Sequence, residues 1–118
     1  MSRYEHKRVY DRIFQLMDRY RLLNYERKIL ILYQSKYGTN SNLDSRLSEM
    51  DSFIYVFKNA LDCLTSDERK IIFEYYFNSK SLVEISFSVH MSPESVCRKK
   101  RAILKKLDCI IPQYLFAV

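Results

Sequence analysis

One glycine and two prolines in 118 residues leave little for the tight turns of a sandwich or barrel, so the composition points away from a β fold. The three cysteines, Cys63, Cys97 and Cys109, form no CxxC pair, and their odd number argues against a disulfide framework. A reducing, cytoplasmic setting is the simplest reading. No apolar run approaches the length of a membrane-spanning helix, and the residues after Met1 do not read as a signal peptide. A glycine-rich phosphate loop is missing, as are a serine or cysteine nucleophile motif and a carboxylate pair suited to acid–base work. His6 and His90 stand alone, with no metal partner at a useful spacing. The expectation is a protein that is not an enzyme and needs no metal or cofactor.

What the chain does have is charge, unevenly placed. The formal net charge is +6, which favours an anionic partner. Residues 1–36 hold nine Lys and Arg against four Asp and Glu, and residues 92–118 hold six against two. The stretch between them is mildly acidic. The C-terminal end is the candidate for contact with a polyanion, and the basic N-terminal segment, Arg3 to Arg21, reads rather as a solvated amphipathic helix.

Apolar residues recur at helical spacing through most of the chain. Val9, Ile13, Leu16, Met17, Tyr20 and Leu23 mark a first amphipathic helix from about Arg3 to Leu23. Asn24 is a candidate break before a second helix over 25–37. Gly38, the sole glycine, fits a left-handed helix end and opens a loop to Asn42. From Asp44 to Leu64 the residues Leu43, Leu47, Met50, Ile54, Phe57, Leu61 and Leu64 step by four and three, a heptad seam. Packing within the chain is the favoured use of that seam. Thr65 and Glu68 form a capping box that opens a helix running to Phe77, with Ile72, Phe73, Tyr76 and Phe77 on its apolar face.

Residues 81–107 read as two helices around a tight turn. Ser81 can cap the first, which runs to Phe87, and the turn takes residues 88–91. Ser92 followed by Pro93 is a strong start for the second, because the proline lacks only a donor that is orphaned there anyway. Ile85, Val89, Met91, Val96, Ile103, Leu104 and Leu107 would face inward, and Ser86 is small enough to let the helices cross closely. That leaves Ser92, Glu94, Ser95, Cys97, Arg98, Lys99, Lys100, Arg101 and Lys105 on the second helix's other face and flanks. Early positions on such a helix, here Ser92, Glu94, Ser95 and Arg98, are where base edges are read. Lys99, Lys100, Arg101 and Lys105 would neutralise phosphates. Two residues depart from the common pattern. His90 stands where a left-handed backbone usually takes glycine, and Lys99 stands where an apolar residue is common.

The capping box after Leu64, the run Ser81 to Ser86, then Met91, Ser92, Pro93, Val96 and Arg98, and the closing Ala102 to Leu107 resemble the fourth region of bacterial sigma factors. A broader resemblance is to phage RinA/ArpU-type transcriptional regulators. It is carried by residues 17–23, residues 58–64, and Tyr75, Tyr76 and Phe77 ahead of the helix-turn-helix. The resemblance implies an all-α fold of five to six helices with a C-terminal sigma-region-4-like helix-turn-helix. It also implies a regulator of transcription, an activator of late phage or prophage genes, working in the cytoplasm of a bacterial host.

The chain divides into an N-terminal helical region, 1–64, for packing or association, and a DNA-binding region, 65–118. The partner expected is double-stranded DNA, with RNA polymerase a further candidate and no membrane. Two other readings use the same residues. One is a sigma-like factor that binds RNA polymerase, for which 1–63 looks short. The other is an anti-sigma or anti-host protein module with a degenerate helix-turn-helix. Single helix-turn-helix units bury little surface, so a homodimer is expected, through the seam Leu43–Leu64 or the stripe Val9–Leu23.

Overall fold

The structure, a computed structural model, describes residues 3–116, with side chains from residue 12 onward. The side chains of His6 and Val9 lie outside the described residues. Among the described residues five helices follow in order: α1 (Arg3–Tyr37), α2 (Ser41–Asp62), α3 (Ser66–Ile72), α4 (Leu82–Val89) and α5 (Pro93–Ile110). A π-helical turn, Phe73–Phe77, extends α3, and a 3-10 turn, Gln113–Leu115, follows α5. Among the described residues there is no strand, as the composition implies.

α1 is one helix where the sequence suggested two. Asn24 does not break it, because its side-chain amide donates to the Tyr20 carbonyl one turn back, at 2.8 Å, and so stays within the helix. Gly38 ends the helix as expected. It adopts φ +82°, and its N–H donates to the Gln34 carbonyl at 2.9 Å. α2 begins earlier than expected, because Asn40 caps it by accepting from the Leu43 N–H.

The heptad seam is spent inside the chain. Leu43, Met50, Phe57, Leu61 and Leu64 are buried, and Leu47 and Ile54 are partly so. On α1, Ile13, Leu16, Met17 and Leu23 are also buried. Among the described residues, neither stripe is therefore free to form the dimer that the sequence suggested. One core cluster draws on both sides of the Leu64–Thr65 junction, from Ile13 to Leu115. Ile111 and Leu115, after the last expected helix, close it. Arg12 ties this tail to α1 through Gln113, at 2.9 Å, and through the ring of Phe116, at 3.9 Å.

The capping box at Thr65 forms in both directions. The Glu68 N–H donates to the Thr65 hydroxyl, and the Thr65 N–H donates to the Glu68 carboxylate. Lys106 of α5 also donates to that carboxylate, at 3.2 Å. The Thr65 N–H first, and then Lys106, hold the Glu68 carboxyl below the usual carboxylate range, against the opposing effect of burial. A depressed folded-state pKa contributes stability above the unfolded value and loses it as pH falls through the folded one. Urea titrations of Glu68→Gln should therefore show a flatter acid limb than the parent below about pH 5. Thr65→Ala should cost about 1 kcal/mol at neutral pH. Unchanged midpoints in both variants would mean that the cap carries no stability.

The helix expected to run straight to Phe77 changes pitch after Ile72. The Asn78 N–H reaches the Phe73 carbonyl five residues back, at 3.1 Å, and Ser79 takes φ +54°. Ile71 and Ile72 are fully buried, while Phe73 is 36% exposed and packs on Phe77. Tyr76 meets Phe14 edge-on, and Phe77 meets Tyr20.

Candidate nucleic-acid interface

α4 and α5 form the paired helices expected over 81–107. Ser81 and Glu84 make a second capping box at the start of α4. α4 ends at His90, which adopts the left-handed conformation at φ +57°, ψ +44°, as the turn requires. The chain then enters α5 through Ser92, whose hydroxyl accepts from the Ser95 N–H, with Pro93 in the first turn. Ile85, Val96 and Ile103 are wholly buried between the helices and the rest of the core. Ser86 is buried at the crossing, and its hydroxyl is satisfied by the Val83 carbonyl at 2.6 Å. Lys70 of α3 donates to the Ser88 carbonyl at the end of α4, where a cation complements the helix dipole.

This packing sets the outward face of α5. With Val96 as the inward reference and about 100° per residue, Glu94, Arg98 and Lys105 lie at about 160°, 200° and 180°. All three are exposed, as are Lys99 and Arg101. Among the described residues, none of Arg98, Lys99, Arg101 and Lys105 is in an ion pair. Other cations nearby are engaged: Lys70 on Ser88, Lys106 on Glu68, and Lys80 on Glu74. Three of these uncommitted cations, Arg98, Arg101 and Lys105, thus stand on the side of α5 opposite the core, and Lys99, about 60° from Val96, stands on its exposed flank.

Lys100 departs from the expected set. It falls about 40° from Val96, on the inward side of the helix. It is half-buried, with its ammonium 4.2 Å from the Tyr75 ring centroid. The sequence run 98–101 looked continuous, but helical geometry splits it. Ser92 is exposed, yet its hydroxyl is committed to the cap and to the Ser95 hydroxyl at 2.9 Å. Glu94 sits in the first turn of α5 and Ser95 is half-buried beside it.

Two residues that sequence reasoning did not select belong to this surface. Val83 and Phe87 are 53% and 77% exposed on α4. With His90, Met91 and Pro93 they line a shallow cleft beside the start of α5. Their exposure against apolar character was visible only once the inward positions of α4 were fixed.

Residues 60–108 match the family model described as sigma-70, region 4. This part of the chain is similar to a sigma-70 region 4 helix-turn-helix. The match begins within α2, spans α3 and α4, and ends two residues short of the end of α5. The chain is also 38% identical over 58 residues to the transcriptional activator RinA of Staphylococcus phage phi11, covering 46% of this chain. It spans 41% of the length of that curated relative. No solved structure matches it. No helix among the described residues is long and apolar enough to cross a membrane. No cluster of His, Cys, Asp and Glu among them could hold a metal ion.

Proposed function

We propose that this chain is a sequence-specific regulator of transcription that binds double-stranded DNA and activates genes of a phage or prophage in the host cytoplasm. The observation that carries the reading is the free basic face of α5 within a region 4 helix-turn-helix. α5 enters the major groove with its first turns against the bases. Glu94, Ser95 and Arg98 are placed to read base edges, and Lys99, Arg101 and Lys105 to meet phosphates. Ser92 fixes the start of the helix. Lys100 holds α5 against Tyr75 and contributes little to DNA directly. The likeness to a phage activator supports the direction of regulation, and the region 4 match supports RNA polymerase as a second partner. The role is one of binding, not catalysis.

Salt dependence tests this reading. Each neutralised phosphate contributes a slope of about −0.9 to log K against log salt. With about four free cations engaged, affinity should fall on the order of a hundredfold between 50 and 200 mM salt. Lys99→Ala should reduce the slope by roughly one contact, and Lys100→Ala should leave it nearly unchanged. Titrations by fluorescence anisotropy would measure all three. A flat salt profile for the parent chain would remove DNA as the ligand of this face.

A further inference from the structure

We propose that the outer face of the C-terminal half of α1 binds a second copy of this chain, with the two α1 helices antiparallel about a twofold axis. Leu22, Tyr25, Ile29 and Leu32 are 60%, 59%, 65% and 69% exposed. Their steps of three, four and three put them on one stripe. The opposite side of the same helix is already used. Leu23 is buried, Arg46 of α2 bonds Glu26 at 2.8 Å, and Arg27 bonds Asp51. α2 therefore covers one side of α1 and leaves a second apolar seam facing water.

The ends of the stripe identify the occupant. Asp18 lies four residues before Leu22, and Lys36 four residues after Leu32, so both continue the heptad spacing. The seam has an acid at one end, Asp18, which also meets Arg21 of its own helix at 3.3 Å, and a base at the other, Lys36. A parallel copy would set Asp18 against Asp18 and Lys36 against Lys36. An antiparallel copy, with its axis near Arg27, sets Asp18 against Lys36 of the second copy at both ends. The same register sets Leu22 against Leu32 of the second copy, and Tyr25 against Ile29. A surface complementary to itself in one orientation is what a twofold interface requires.

The area is sufficient. The four apolar side chains expose on the order of 450 Å², in the upper range for any single patch on a monomer. Covering Tyr33, Asp18 and Lys36 as well brings each copy toward the roughly 800 Å² of a stable interface. Among the described residues, the ion pair and the hydrogen bond that tie α1 to α5 and its tail come from Arg12, in the other half of α1. Pairing through residues 18–36 therefore leaves the basic face of α5 uncovered in both copies. The surface stands whether or not α5 binds DNA. If it does, the dimer presents two reading helices to two half-sites.

Sedimentation of the whole chain should show a reversible monomer–dimer equilibrium in the absence of DNA. Ile29→Glu places two charges in the centre of the seam and should raise the dissociation constant about a hundredfold or more. Its helical circular dichroism should match that of the parent, since Ile29 is not in the core. Asp18→Lys should raise the constant about tenfold. Adding Lys36→Asp to the same chain restores opposite charges across the axis and should recover most of the loss. A parent chain that sediments as a monomer at high micromolar concentration would overturn the proposal. A double variant no tighter than Asp18→Lys alone would overturn the antiparallel register. Dimerisation that survives Ile29→Glu would place the interface elsewhere.

Discussion

Phe57→Ala should destabilise the fold by about 3–5 kcal/mol, the range for deleting a buried aromatic side chain. Phe57 is wholly buried in the middle of α2. Its ring stacks on Phe53 at 5.8 Å and meets Tyr20 of α1 at 5.0 Å. Both neighbours bear on the ring from fixed helices, so the cavity cannot readily collapse. A domain of this size holds only about 5–15 kcal/mol in total, so the loss is a large share. The core cluster runs without a gap from α1 to the tail after α5. Unfolding should therefore be a single event, although residues 1–64 and 65–118 look separable by sequence. Urea transitions followed by far-ultraviolet circular dichroism and by tyrosine fluorescence should coincide, and Phe57→Ala should shift both together. DNA binding should fall only as the folded fraction falls. A cost under about 1 kcal/mol would show that the α1–α2 contact is not essential to the core. Two separate transitions would instead support two folding units.

The region that carries the proposed site was the most legible part of the sequence. Its signals are local: a hydroxyl and a carboxylate three residues apart at Thr65, a serine before Pro93, and a left-handed position at His90. Each is decided by a few neighbouring residues, and each formed as expected. What the sequence obscured depends on contacts far along the chain. Asn24 looks like a break because asparagine often bonds outside a helix, yet here it bonds back to Tyr20 within it. The π turn at Phe73 has no cap or proline to announce it. Leu43 to Leu64 shows a heptad but cannot say whose helix fills it, and α1 of the same chain does. Lys100 was grouped with its basic neighbours because charge is counted along the chain, whereas burial is decided around the helix.

Arg98→Ala and Lys105→Ala should separate base reading from backbone anchoring. Both side chains point away from the core and both are exposed, so neither substitution should disturb the fold. They differ in position along the helix. Arg98 lies within the first two turns of α5, the part that the proposed docking sends to the groove floor. A guanidinium there can donate to O6 and N7 of one guanine together, a contact that contributes about 1–3 kcal/mol of discrimination. Lys105 is seven residues further, about 10 Å along the axis, where in the same proposed docking the helix leaves the groove. An ammonium at that point meets phosphate and carries no sequence information. On matched specific and scrambled duplexes, Arg98→Ala should weaken specific binding roughly ten- to a hundredfold and scrambled binding far less. Lys105→Ala should weaken both by the same factor and lower the salt slope by about one contact. Equal losses on both duplexes for Arg98→Ala would show that α5 lies with its basic face along the backbone, and that some other surface reads the bases.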